Sequence, residues 1–136
     1  MPNGTQTDNP LARLLVEAID TREELAAILD GFVTIDESGS IAFSAGFDSQ
    51  PARRRVLVAV LAARAAFELD LRDEGSATPA DIEQLTGMPG GTVRPKLREL
   101  AGSRVLHCSD GRYVVPDSQI RRAAELVGNG AEEVAA

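Results

Sequence analysis

The residues best suited to chemistry lie between Thr92 and Arg112. Thr92, Arg94, Pro95, Lys96 and Arg98 fall in one helical pattern, and Arg104 and Arg112 follow it. At about 100° per residue, and with Val93, Leu97 and Leu100 turned inward, the outward face holds Gly91, Pro95, Arg98 and Gly102. Arg94, Thr92 and Glu99 flank that face. Glycine and proline leave little bulk, so the backbone can approach a partner closely. Arg94 and Arg98 are one turn apart and can reach a phosphate or the acceptor edge of guanine. Lys96 sits nearer the buried boundary and suits a phosphate. Pro95 is expected in the first turn, whose amides lack intrahelical partners. The competing reading is that these cations solvate a surface beside Glu99 and Asp110.

Other candidates carry less. His107 and Cys108 are adjacent in an expected strand and point to opposite faces, so they form no catalytic pair. Cys108 shares a face with Leu106 and is expected to be a small buried apolar residue. No second histidine exists, and one cysteine leaves neither a disulfide nor a metal cluster. Gly87-Met88-Pro89-Gly90-Gly91 lacks the lysine and serine of a phosphate loop. No enzyme activity, metal or cofactor is expected. Arg53-Arg54-Arg55 opens a helix where the macrodipole disfavours cations. It reads either as a solvated basic turn facing the acidic N-terminal half or as a set of phosphate contacts.

These residues need elements to hold them. Thr78 is an N-cap with Pro79 at the first helical position and Asp81 as an imitation capping box. Ile82 and Leu85 give that helix one apolar edge, and Gly87 to Gly91 stop it. The basic helix begins near Gly90. Val105–Cys108 and Arg112–Val115 are β-prone, and Ser109-Asp110-Gly111 between them predicts a hairpin. Upstream, the spacing predicts a long helix from Pro51 to about Leu71, with Val56, Leu57, Val60, Leu61, Ala63, Phe67 and Leu71 on its apolar face. Helices are also expected over Pro10–Asp20 and Thr21–Leu29, with a small hairpin from Phe32–Ile35 and Ile41–Phe43. Ser118 can cap a last helix through Ile120, Ala123, Ala124 and Val127, stopped by Gly128.

Helix, tight turn, helix, hairpin: Thr78–Pro116 resembles the winged helix-turn-helix superfamily, and the resemblance covers roughly residues 50–127. Its most specific part is GGTVRPKLREL followed by DGRYVVP. Similar wording occurs in small archaeal winged-helix proteins and in MarR- and ArsR-type regulators. The resemblance implies a mostly helical α+β fold: an N-terminal helical and hairpin appendage over 1–48, a winged helix over 49–127 and a disordered tail over 128–136. It implies a non-enzymatic transcriptional regulator that binds double-stranded DNA. The helix Thr92–Ala101 would enter the major groove and Cys108–Arg112 would form the wing. The other reading is a winged helix kept as a protein–protein module in an assembly. Such regulators commonly read two half-sites as homodimers. Leu11, Leu14, Leu15 and Ile19, with Ile120, Ala124 and Val127, offer stripes for that purpose, or else cover the chain's own core.

Composition sets the frame. A chain of 136 residues with 43% hydrophobic content can bury a core. No apolar run spans a bilayer and no signal pattern opens it, so a soluble, cytoplasmic protein without membrane partners is expected. The net charge is −7, with thirteen arginines and one lysine. Either a GC-rich genome or a salt-adapted, halophilic proteome explains that bias. Residues 1–50 carry nine acids and two arginines, while 51–127 carry twelve basic residues and ten acids. The half that bears the basic helix is therefore the least acidic part.

Overall fold

The structure is a computed structural model that describes residues 10–11 and 21–135, with side chains as far as Gly128. The helix expected over Pro10–Asp20 lies almost wholly outside the described residues, as does the arm before it. The fold is α+β, about 59% helical with two small antiparallel sheets.

Helix α1 (Thr21–Leu29) places Glu23 and Glu24 in its first turn, where the macrodipole favours them, and buries Leu25, Ile28 and Leu29. Strands β1 (Val33–Ile35) and β2 (Ile41–Phe43) pair with Val33 opposite Phe43 and Ile35 opposite Ile41. The Asp36 carboxylate holds the connection by accepting the Ser38 and Ser40 amides at 2.9 and 3.0 Å. A single turn, α2 (Ala45–Asp48), has no counterpart in the sequence reading. It buries Phe47, whose ring stacks on Phe43 with centroids 4.0 Å apart.

Helix α3 (Ala52–Glu68) is the centre of the molecule. Every residue from Val56 to Ala63 is buried, so the helix has neighbours on all sides rather than one apolar face. It touches α1 and each of the three longer helices that follow it. It ends before Leu71 in a left-handed cap: Asp70 has φ 61°, and the Leu71 amide donates to Ala66 O at 2.9 Å. Phe67 therefore sits in the last turn and is exposed rather than buried.

Helices α4 (Pro79–Thr86) and α5 (Gly90–Gly102) follow. The Thr78 hydroxyl and Asp81 carboxylate cap α4 reciprocally, and Gly87 closes it at φ 73°. Met88, buried in the turn, donates its amide to the Thr86 hydroxyl at 3.1 Å. Val93, Leu97 and Leu100 are buried, as their spacing predicts. Because α5 starts at Gly90, Pro95 is in the second turn, not the first. Its missing N–H deprives the Gly91 carbonyl of a helical donor. Its ring also crowds that same Gly91 carbonyl, four positions back.

The hairpin has β3 (His107–Ser109) and β4 (Arg112–Val114), with Cys108 opposite Tyr113. Asp110 and Gly111 both have positive φ, 53° and 73°, as a two-residue type I′ loop requires. Ala77 and Tyr113 exchange two backbone hydrogen bonds of 2.8 Å, so the hairpin is bridged to the segment before α4. Arg64 pins the next stretch to α3, donating to Glu68, Val115 O and Asp117 at 3.0, 3.3 and 2.8 Å.

The last helix, α6 (Ile120–Ala135), runs past Gly128 instead of stopping there. One glycine costs a helix only about 1 kcal/mol, and the alanines and glutamates beyond it are good helix formers. Ile120, Ala123 and Val127 are buried, and α6 packs on α1 and α3. That stripe is spent inside one chain. Leu25, Ile28, Leu29 and Phe47 belong to the same apolar cluster as Leu57, Leu97 and Ile120, so the N-terminal elements share one core with the rest.

Candidate nucleic-acid interface

The outer face of α5 carries the cations that the sequence singled out. Arg94 and Arg98 are exposed, while Thr92, Pro95 and Lys96 are half-buried. Arg94 is not free. Its Nη2 lies 3.4 Å from the Glu83 carboxylate of α4. Glu83 reaches that position because residue 90 has no side chain: a Cβ there would meet both carboxylate oxygens at 3.2 Å. The carboxylate thus also faces the positive end of α5. Lys96 pairs with Glu99 at 3.1 Å. Arg98 and Arg104 form no ion pair among the described residues.

Arg104 holds an unusual backbone. It follows the Ser103 C-cap at φ 70°, in the position where glycine is favoured. Its amide donates to Ala101 O at 3.0 Å, and the Val105 amide donates to Leu100 O at 3.1 Å. An L-residue here is strained by roughly 1–2 kcal/mol relative to glycine.

Arg112 is turned inward. Its Nε donates to Ser76 Oγ at 2.8 Å and its Nη2 to Ser76 O at 3.1 Å, with Glu74 and Asp81 at 3.9 and 4.0 Å. Arg72 meets the same carbonyl at 3.0 Å and Asp81 at 3.1 Å. Two guanidiniums therefore converge on Ser76 and Asp81. Burial pushes the Asp81 carboxyl up, but the Thr78 amide and the Arg72 guanidinium outweigh it and hold it below the usual range. The network fixes the hairpin against the N-terminus of α4. Local sequence gave no sign of this, since Arg112 and Ser76 are 36 residues apart.

The remaining candidates scatter. Arg53 is exposed. Arg54 donates from Nε to Leu126 O at 3.2 Å, and Arg55 has a buried Nε with no acceptor among the described residues. Arg54 thus reaches α6, not α5. Cys108 is exposed rather than buried. The strand begins at His107, so the alternation from buried Leu106 does not carry into it. Tyr113, read from the sequence as a wing or core aromatic, stands opposite Cys108 in the hairpin, half-buried against the core. Burial and the thiol push its phenol up, while Arg98 and Arg94 pull it down.

Among the described residues no group of histidine, cysteine and carboxylate side chains can hold a metal, and no helix is long and apolar enough to cross a membrane. A groove of about 650 Å³ lies between α1, β1 and the end of α3, lined by Leu25, Leu29, Val33, Ile35, Ala65 and Leu69 among others. No residue of α5 or the hairpin lines it. No protein-family model, curated protein or solved structure matches the chain.

Proposed function

We propose that the chain is a winged helix-turn-helix protein that binds double-stranded DNA as a cytoplasmic transcriptional regulator. Helix α5 enters the major groove and the Cys108–Arg112 hairpin lies beside the backbone. The observation that carries this reading is the pair Arg98 and Arg104. Both are exposed and form no ion pair among the described residues, at the thin outer face of α5 and at its end. Arg104 keeps its side chain at a backbone position that favours glycine, which is the pattern of strain retained for function. Arg94 joins them once a phosphate competes with Glu83. Any pairing of two copies on two half-sites uses surfaces other than Ile120–Val127, which the chain's own core occupies.

The alternative, a protein–protein module, has its own support. Arg94, Lys96 and Arg112 each sit within ion-pair range of a neighbouring carboxylate, so the basic face is largely compensated.

Mobility shifts of genomic fragments across a salt series test the choice. With Arg98 and Arg104 as the phosphate contacts of this face, the slope of log K against log salt should be about −2. Replacing Arg94 and Arg98 together with alanine should weaken specific binding at least about tenfold. Unchanged affinity in a folded double variant moves the reading to the protein partner.

A further inference from the structure

We propose that the groove between α1, β1 and the end of α3 is a binding site for a lipophilic organic cation, a small molecule with an apolar body and one positive centre. The site is separate from the DNA-binding face, since no residue of α5 or the hairpin lines it, so either can fail without the other. The walls suit the apolar body. Val33 and Ile35, two apart on β1, turn one face to the groove, and buried Leu25 and Leu29 of α1 close its floor. Leu69 stands beside them 57% exposed, apolar surface that a ligand would take out of water. The volume is about 650 Å³, and small-ligand sites run from roughly 300 to 1,000 Å³.

The charges choose the sign. Asp30 and Glu68 line the groove against one cation, Arg22. The Glu68 carboxylate is 21% exposed and is anchored through Oε2 to Arg64 Nε at 3.0 Å. Its Oε1 faces Arg22 Nε at 3.5 Å, longer than a good hydrogen bond, and the Arg22 side chain is 76% exposed. Such a surface pair is weak, so a ligand cation can compete for Oε1. The last turn of α1 acts in the same direction. It carries no basic residue, and Ala26, Ala27 and Leu29 bring its negative end to the groove. An anion in the same place would meet two carboxylates and that helix end.

Tetraphenylphosphonium and tetraphenylborate share one shape and differ in the sign of their charge, which makes them the probes. The full chain is titrated with each by isothermal calorimetry at low salt. The cation should bind one to one and at least about tenfold more tightly than the anion. Asp30→Asn should weaken cation binding about two- to fivefold, the scale of one exposed charge. Ala26→Trp fills the groove from an exposed position of α1 and should abolish cation binding. That variant keeps the net charge of −7, so it separates the groove from general attraction to an acidic chain. Three results overturn the proposal: no saturable binding of the cation, borate binding as tight or tighter, or unaltered cation binding in folded Ala26→Trp. Unaltered cation binding in Asp30→Asn overturns it as well. If Ala26→Trp does not fold, the two wild-type titrations and Asp30→Asn decide.

Discussion

Arg94 and Glu83 meet across the turn between α4 and α5, 3.4 Å apart. A cation on the face expected to meet DNA is thus restrained by a carboxylate from the preceding helix. Glu83→Gln removes the competitor and keeps the shape. Duplex affinity should rise about three- to tenfold, read by anisotropy at fixed salt, because a repulsive charge also leaves the interface. An affinity that falls or stays level would count against Arg94 as a DNA contact.

Arg104→Gly should separate stability from function. Glycine relieves the left-handed strain at φ 70°, so chemical denaturation should show a gain of about 0.5–1 kcal/mol. Duplex binding should weaken over the same change. A variant that gains stability and keeps its affinity would show that the side chain is dispensable.

Asp81 gives a pH dependence of known sign. Its folded pKa is depressed below the ordinary carboxylate value, so its contribution is present above about pH 4 and is lost as pH falls through the folded pKa. Asp81→Asn should cost about 1 kcal/mol at pH 7 through the lost cap, and the difference from wild type should narrow toward pH 3. A gap that widens on acidification would refute the assignment.

Ile120 is fully buried in the single core. Ile120→Ala should cost about 2–5 kcal/mol in urea unfolding. Ile120→Glu should unfold the chain rather than yield a folded protein of lower mass. Light scattering with circular dichroism distinguishes these outcomes.

The acidic excess makes a salt prediction. With a net charge of −7, screening relieves self-repulsion, so the melting temperature should rise as KCl goes from millimolar to molar. A flat or falling curve would favour genome composition as the origin of the arginine bias.

What could be foreseen was local. Thr78 with Asp81, Gly87 after α4, the Val93/Leu97/Leu100 stripe and Asp110-Gly111 each signal their structure within a few residues, and each appears. What escaped was long-range or too short to have a period. Nothing near Arg112 announces Ser76, and nothing near Arg94 shows that Glu83 will face it. The single turn around Phe47 is shorter than any helical repeat. Cys108 was misplaced because Leu106 belongs to a bend and all three residues of β3 are exposed, so no buried face runs on from Leu106. Of the candidate face, residue types were legible; which cations are already occupied was not.

The bridge between Ala77 and Tyr113 has a kinetic consequence. The Ala77 and Tyr113 amides each donate to the other's carbonyl at 2.8 Å, so opening this one bridge frees both. They form in one event and share one fate. In hydrogen exchange the two should lose protection at a common rate and with a common dependence on denaturant. Since this closure joins the segment before α4 to the strand after α5, it seals the whole helix–turn–helix as a loop.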